Sequence, residues 1–163
     1  MLYGLTDKLL FFMIPILIMT IGVQCSGKST WAKKFASDNP EVVYLSTDII
    51  WLSIGPMSDR SIAKKVYPIL TKKVEVALQS KQSILIDATF IKKSWRKDFI
   101  NIGRKYKARL IAHVFKADRD TLINRVQKRA SEGGLNVPVE VIDKYIAQFQ
   151  PPLPGEFDEI INH

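Results

Sequence analysis

The sequence predicts an α/β fold, a three-layer αβα sandwich in which helices cover both faces of a mostly parallel sheet. Short apolar runs alternate along the chain with longer segments whose apolar residues recur at helical spacing. The short runs are continuously apolar, as expected of strands that are buried on both faces. With 163 residues and no internal repeat, the chain is predicted to form a single domain over residues 13–163.

Each predicted strand is a short apolar run between turn residues or charges. The first, 14–21, is almost entirely apolar. The runs at 42–45 and 83–87 lead into Asp48 and end on Asp87, respectively. In an open α/β sheet, a residue at the carboxyl end of a strand lies in the ligand-binding crevice, so we expect both carboxylates there. The remaining predicted strands are 109–115 and 157–161.

The segments between the strands carry helix signals. Residues 28–38 are predicted to form a helix that stops before Pro40, because the residue preceding a proline disfavours helical geometry. Asp118 is predicted to cap a helix that contains Arg125 and Arg129. The other predicted helices cover 58–80, capped by Ser58 and interrupted near Pro68, the stretch from Ser94 to about Tyr106, and the stretch from Pro138 to a point before Pro151.

Residues 22–30, GVQCSGKST, fit the phosphate-binding motif G-x-x-x-x-G-K-[ST] and lie between the first strand and the first helix. The backbone N–H groups of such a loop and the positive end of the helix dipole bind phosphate. Lys28 adds a full charge, and the Ser29 hydroxyl is placed to bind Mg²⁺. Gly22 and Gly27 permit backbone geometry that a Cβ would obstruct. We therefore predict a site for ATP and Mg²⁺ that also includes Cys25, Ser26 and Thr30.

Phosphoryl transfer needs a phosphate cradle, a cationic clamp and a carboxylate that orients the attacking hydroxyl. Asp48 is the better candidate for that carboxylate, whereas Asp87 has the character of a Mg²⁺-binding residue, with acceptor contact left open. Arg125 and Arg129 share one helix face and are predicted to belong to a lid over about 125–140 that neutralises charge in the transition state. The predicted catalytic residues are Asp48, Lys28 and Arg129.

The positive charge is concentrated in the middle of the chain. The net charge is +8, and residues 61–120 carry ten more Lys and Arg than Asp and Glu. A basic face suits nucleic acid, while the alternative is an ordinary solvated surface. On this basis Lys93 and Arg96 are predicted to contact a nucleic-acid acceptor, as part of a basic face near the crevice that also includes Lys92, Lys97, Arg104 and Lys105. Trp51 and Phe90 are predicted to stack on bases of the acceptor, with a place in the core as the alternative.

The N-terminal segment and the single cysteine indicate the cellular location of the protein. One cysteine excludes an intrachain disulfide, which fits a reducing, cytoplasmic setting. Lys8 and the apolar run after it resemble a signal peptide, but Gln24 does not suit a cleavage site before Cys25 and the run is short for a membrane span. We therefore expect no membrane association and interpret residues 1–12 as a dispensable extension. Whether the chain forms a homo-oligomer is left open by the sequence.

From about residue 14 to 150 the sequence resembles the kinase domain of bacteriophage and bacterial polynucleotide 5′-kinases, within the P-loop kinases. The resemblance implies the nucleotide-kinase type of P-loop NTPase fold, donor-phosphate and Mg²⁺ binding by Lys28 and Ser29, and a general-base role for Asp48. It also implies a lid role for Arg129 and places Thr89 with the acceptor. The matching segments are 18–22, 27–32, Asp48, 86–89, Arg125-x-x-x-Arg129 and Val137-Pro138. The chain departs from the family at Trp51 and Phe90, where arginine and asparagine are usual.

The sequence thus predicts an ATP- and Mg²⁺-dependent polynucleotide 5′-hydroxyl kinase, acting on 5′-OH ends of DNA or RNA in nucleic acid repair. Two alternatives stay open. A P-loop kinase of a nucleoside, sugar or antibiotic would have the same donor site. A non-catalytic nucleotide-binding ATPase would bind ATP and transfer phosphate to nothing except water.

Overall fold

A computed structural model describes residues 14–57, 59–134 and 137–163. Its five strands form one sheet in the order β2-β3-β1-β4-β5, and every neighbouring pair is parallel. The predicted α/β fold is therefore confirmed. The predicted extension 1–12 and the helix cap Ser58 lie outside the described residues. The strands are β1 (Ile16–Ile21), β2 (Val43–Ser46), β3 (Ile84–Asp87), β4 (Arg109–Val114) and β5 (Glu159–Asn162).

Six α-helices connect or flank the strands in the described part of the chain. The 3₁₀ turn Arg60–Ile62 precedes the longest of them. The Asp118 side chain accepts a hydrogen bond from the Thr121 N–H, as its predicted capping role requires. The helices are α1 (Lys28–Asp38), α2 (Thr47–Ile54), α3 (Ala63–Gln79), α4 (Lys93–Lys105), α5 (Arg119–Ser131) and α6 (Val139–Ala147).

The structure differs from the sequence prediction in two helices. α3 runs through Pro68 without interruption. Pro68 and Lys64 are both exposed, so the carbonyl that loses its N–H donor faces solvent. The sequence did not predict α2, which is a helix of eight residues. It is too short for a clear periodic signal and is held by its buried residue Ile50.

The sheet has a separate core on each face. On one face β1 packs against α1, where Ala32 is fully buried. On the other face α2, α3 and α4 contribute to a larger cluster that includes Ile50, Leu70 and Phe99. All six residues of β1 are buried, which confirms the prediction of a strand covered on both sides.

The parallel register gathers three chain segments at one edge of the sheet. Ser46 at the end of β2 pairs with Asp87 at the end of β3. The alignment of β1 with β3 brings the end of β1, and hence the loop that follows it, to the same edge. A third apolar cluster packs α5 and α6 against Val23 of that loop. The crevice predicted for an open α/β sheet is therefore built from β1, β2, β3 and α5.

Candidate active site

A cavity of about 1340 Å³ opens at this edge of the sheet. It collects residues from the loop after β1, the start of α1, the ends of β2 and β3, and α5. A smaller recess shares part of its wall and includes Thr89. Ten residues predicted from the sequence line the main cavity: Cys25, Ser26, Gly27, Lys28, Ser29, Thr30, Asp48, Asp87, Arg125 and Arg129.

The loop after β1 depends on its two glycines. A Cβ on Gly22 would lie 2.6 Å from the carbonyl oxygen of Phe115 and 2.7 Å from Ser26 Oγ, which is too close for any side chain. The Gly22 N–H donates to the Thr89 carbonyl at 3.0 Å and so ties the loop to the segment after β3. Gly27 has a φ of 105°, in the left-handed region that glycine adopts without strain. These features fix the turn that leads into α1.

The loop and the start of α1 fit a phosphate group. α1 has no side-chain cap and no acidic residue in its first turn, so its N-terminal N–H groups are left for another acceptor. Ser26 Oγ is buried and has no hydrogen-bond partner in the described part of the structure. Buried polar atoms are normally hydrogen-bonded, so such an atom beside an uncapped helix indicates a site for an anion.

Lys28 places a cation inside this loop. Its side chain is buried, and Nζ donates to the Val23 carbonyl at 2.8 Å. Burial lowers the pKa of Lys28 to about 8, although Asp87, Cys25 and Asp48 act in the opposite direction. A bound polyanion would favour the charged form of Lys28, because an opposite charge nearby stabilises the ammonium group.

Asp87 is oriented by its neighbours at the end of β3. The carboxylate is buried, and its Oδ2 accepts a hydrogen bond from the Tyr44 hydroxyl at 2.9 Å. Thr20 Oγ1 lies 3.4 Å from Oδ1. Burial, together with the charge of Asp87, raises the pKa of Tyr44, so Tyr44 remains a hydroxyl donor. Tyr44 was not predicted as a site residue. It lies two residues before Ser46 and therefore on the same side of β2, and this alternation was the available signal.

Asp48 lies on the first turn of α2, immediately after β2. It is exposed at the cavity surface, unlike the buried Asp87. An acidic residue in the first turn is favourable because it faces the positive end of the helix dipole. The two carboxylates that the sequence placed at strand ends therefore share one cavity but have different environments.

Arg125 and Arg129 are one turn apart on α5, and both are exposed and line the cavity. Arg125 Nη1 donates to the Cys25 carbonyl at 3.2 Å, which connects α5 to the phosphate-binding loop. The Gly134 N–H donates to the Arg129 carbonyl at 2.8 Å where the helix ends. The lid predicted over 125–140 includes residues 135 and 136, which lie outside the described residues, and it stays a prediction.

The structure corrects the prediction for Arg96. Its side chain is fully buried, and Nε and Nη2 donate to the two carboxylate oxygens of Glu156 at 2.7 and 3.1 Å. Nη1 also donates to the carbonyls of Phe90 and Gln150, each at 2.9 Å. Arg96 therefore joins α4 to the segment before β5 and is not available to an acceptor.

The predicted aromatic contacts also change. Trp51 is half-buried, packs against the larger core and donates its indole N–H to the Pro56 carbonyl at 3.1 Å. It is not among the residues that line the cavity. Phe90, the other departure from the resembled family, is fully buried. Both side chains take the core role that was the alternative to stacking.

The basic residues of α4 do not form one face beside the cavity. Lys93 is exposed but lines neither the cavity nor the recess. Arg104 and Lys105 lie in the last turn of α4, near the start of β4 and thus towards the opposite edge of the sheet. Lys105 pairs with Glu75 at 2.7 Å. Arg104 and Lys105 therefore do not lie beside the crevice as predicted, whereas acceptor contact by Lys93 stays a prediction.

Other residues that the sequence analysis missed do line the cavity. Lys33 and Lys34 come from α1, and Ile49 and Leu52 from α2, with Met57 just beyond it. Residues 49–52 form an apolar run in the sequence, but no helix was predicted there, so the sequence did not indicate that they line the cavity. These five side chains line the same cavity as the phosphate-binding loop.

The described residues contain no group of three or more His, Cys, Asp or Glu side chains arranged to hold a metal ion. Ser29 and Asp87 offer oxygen ligands beside the phosphate site, which suits Mg²⁺, an ion that binds few protein groups and completes its shell with phosphate and water. Within residues 14–57, 59–134 and 137–163, no helix has the length and apolar character needed to cross a membrane.

The sheet order, the loop between β1 and α1 and the strand-end carboxylates together define a P-loop nucleotide-binding fold. The family model AAA_33, described as an AAA domain, matches residues 17–152, and the chain belongs to this family.

Three similar proteins differ in what their names say they act on. L-seryl-tRNA(Sec) kinase of Methanococcus maripaludis is 30% identical over 141 residues, which cover 84% of this chain and 53% of that protein. The chain thus spans about half the length of this relative. A chain of the Pnkp1/Rnl/Hen1 RNA repair complex has a TM-score of 0.74 at 24% identity, over 83% of this chain and 44% of that one. A gluconokinase of Sinorhizobium meliloti 1021 has a TM-score of 0.62 at 16% identity, over 91% and 82%. The two structural likenesses show the fold alone.

Proposed function

We propose that this chain transfers the γ-phosphate of ATP to the 5′-hydroxyl end of a polynucleotide. The observation that carries the proposal is a single cavity that contains the phosphate-binding loop, the exposed carboxylate of Asp48 and two arginines of α5. Its volume of about 1340 Å³ exceeds the roughly 300–1,000 Å³ typical of a site for one small ligand. The cavity therefore has room for a donor and a larger acceptor side by side.

On the donor side, the N–H groups of the loop and the ammonium of Lys28 bind the phosphates. Ser29 and Asp87 would hold Mg²⁺, which neutralises phosphate charge when bound. Tyr44 keeps the Asp87 carboxylate in one orientation through its hydrogen bond. Arg125 and Arg129 stabilise the charge that develops on the transferred group.

On the acceptor side, Asp48 accepts the proton of the attacking hydroxyl. The hydroxyl oxygen forms a bond to the γ-phosphorus, and the bond from that phosphorus to the β,γ-bridging oxygen breaks, so ADP leaves. Asp48 suits this role because it is exposed to an acceptor, whereas Asp87 is buried and already hydrogen-bonded.

A polynucleotide acceptor has support from charge and from similarity. The chain carries a net charge of +8, and cavity-lining lysines extend beyond the phosphate-binding loop. Two of the similar proteins are named for tRNA or RNA repair. The second candidate is a small-molecule kinase; it has support from the missing acceptor-side arginine, since Trp51 stands in that position and packs into the core.

The experiment is a transfer assay with γ-labelled ATP and a panel of acceptors. The panel contains 5′-OH DNA and RNA oligonucleotides, nucleoside 3′-phosphates, nucleosides, sugars and seryl-tRNA. The proposal expects the highest kcat/KM with 5′-OH oligonucleotides. A higher value with sugars or nucleosides would replace it with the small-molecule kinase, and labelled phosphate appearing only in water would indicate an ATPase.

Asp48→Asn tests the assignment of the proton acceptor. An amide keeps the shape of the carboxylate but cannot take the proton, so ATP affinity should persist while transfer falls by about 10²- to 10⁴-fold. Asp98→Asn is the matched control, because Asp98 is exposed on α4 and lies outside the cavity lining. A loss of ATP affinity with unchanged transfer at saturating ATP would make Asp48 a donor-site residue.

A further inference from the structure

Besides the phosphate-binding loop, the cavity lining includes two sets of side chains of different chemistry, called here its basic wall and its apolar wall. Lys33 and Lys34 of α1 form a basic wall. Ile49 and Leu52 of α2, together with Met57, form an apolar wall. Asp48 precedes Ile49 on the same short helix, so the apolar wall and the proposed proton acceptor share one rigid element.

The apolar wall has unusual exposure for its residue types. Ile49 is 53% exposed and Leu52 is 62% exposed. They are three positions apart on α2 and therefore lie on one face of the helix. Neighbouring exposed apolar side chains inside a cavity that also contains charged groups indicate a surface that binds an apolar part of a ligand.

The basic wall is available to an anion. Lys33 is exposed and forms no ion pair in the described part of the chain. Lys34 pairs with Asp38 at 3.0 Å, but both side chains are largely exposed, so this pair competes weakly with another anion. Among the charged residues that line the cavity, five are basic and two are acidic. The charge of the cavity therefore complements a ligand with several phosphates.

We propose that the 5′ end of a single-stranded polynucleotide lies between these two walls, with a base against Ile49 and Leu52 and the following phosphates on Lys33 and Lys34. This inference rests on the proposed function and assigns the acceptor path to α1 and α2 in place of α4. A single strand offers both the unpaired base face and the successive phosphates that these walls complement. A sugar offers hydroxyls, for which the apolar wall has no hydrogen-bonding side chain.

The first test compares acceptors of increasing length in the folded protein: a nucleoside 3′-phosphate, a 5′-OH dinucleotide and a 5′-OH hexanucleotide. KM should fall with length as phosphates reach the basic wall. For the hexanucleotide, each phosphate contact should contribute about −0.7 to the slope of log(1/KM) against log salt. Lys33→Gln/Lys34→Gln should raise this KM and make the slope less negative by about 1.4, while KM for ATP stays unchanged.

The matched control is Lys72→Gln/Lys73→Gln. This pair is also consecutive and exposed, but it lies on α3 outside the cavity. It has the same change in net charge, so an effect of overall charge would appear equally in both variants. The proposal requires the effect in the α1 variant alone.

The second test concerns the apolar wall. Leu52→Ser should raise KM for the hexanucleotide, whereas Val76→Ser, which changes a residue 55% exposed on α3, should not. An acceptor with an abasic 5′-terminal nucleotide should show the same increase with the parent protein. Leu52→Ser should add little to that increase, because the contact is already absent.

The outcomes separate this inference from the proposed function. If the parent phosphorylates oligonucleotides but neither acceptor length nor the Lys33 and Lys34 variant changes KM, the assignment of the acceptor to these two walls is overturned and the proposed kinase activity stands. If the parent phosphorylates no polynucleotide at all, the proposed function fails, and the assignment of the acceptor to the two walls fails with it.

Discussion

Replacing Arg96 with methionine should destabilise the fold and leave the affinity of the folded protein for an acceptor unchanged. The side chains of Arg96 and Glu156 are 0% and 7% exposed, and two hydrogen bonds join them. Methionine fills part of the volume but leaves the Glu156 carboxylate buried without its partner. Breaking a buried pair in this way costs about 3–5 kcal/mol. The free energy of unfolding of a typical domain is about 5–15 kcal/mol in total.

A loss of this size is readily measured. In a chain of this length, each kcal/mol lowers the melting temperature by roughly 2–4 °C, so we expect a decrease of about 6–20 °C. Thermal and urea unfolding followed by circular dichroism would measure it. Lys97→Met is the control, since Lys97 is the next residue on α4 and is exposed. Arg96→Met/Glu156→Gln should recover part of the loss, because no uncompensated charge remains buried.

The pH dependence provides a second readout. Burial alone would raise the pKa of Glu156, but hydrogen bonds from Arg96 and from the Leu153 N–H hold it below its ordinary value. A lowered pKa in the folded state contributes stability above the unfolded-state pKa, and this stability is lost as the pH falls through the folded-state pKa. Arg96→Met removes the main cause of the lowering, so its stability deficit relative to the parent should shrink in acid.

Two results would refute this reasoning. One is an Arg96→Met protein with the parent's melting temperature. The other is a raised KM for oligonucleotides in that folded variant, which would return Arg96 to the acceptor-binding role that the sequence predicted.

Four further predictions concern the phosphate-binding loop. Burial lowers the pKa of Lys28 from 10.5 to about 8, so the free protein should become more stable as the pH rises from about 8 to 10.5, where the unfolded chain binds the extra proton. ATP binding between pH 8 and 9 should take up a proton; calorimetric heats that do not depend on the ionisation enthalpy of the buffer would contradict this. Alkylation of Cys25, which lines the cavity, should inhibit transfer and be slowed by Mg-ATP, and equal rates with and without ATP would show that the thiol is outside the nucleotide site. Gly22→Ala should weaken ATP binding, because its Cβ would lie 2.6 Å from the Phe115 carbonyl and force the loop to move; equilibrium dialysis with an affinity equal to the parent's would show that the loop tolerates it.

The donor half of the candidate site follows from local sequence. Glycine at 22 and 27, Lys28 and Ser29 act within one loop, and their geometry depends on backbone conformation over a few residues. A continuously apolar strand is recognisable without knowing its neighbours. Since parallel strands end at a common edge, the position of Asp87 beside this loop also followed from the strand pattern.

The acceptor half needed the tertiary structure. The count of basic residues along the chain did not distinguish Lys93, which is exposed, from Arg96, which is buried against a partner 60 positions away. The concentration of positive charge predicted an exposed Arg96, whereas burial of an arginine depends on whether a distant carboxylate meets it.

The basic and apolar walls of the cavity also could not be predicted from the sequence, because they too depend on contacts between distant segments. Lys33 and Leu52 belong to different helices, separated in the chain by β2, and only the packing of those helices brings them to one cavity. Tyr44 likewise meets Asp87 through the pairing of two strands 43 positions apart. The sequence determined the proposed phosphate-binding residues because that geometry is local. The proposed acceptor surface depends on contacts between distant segments, and these form only when the whole core packs.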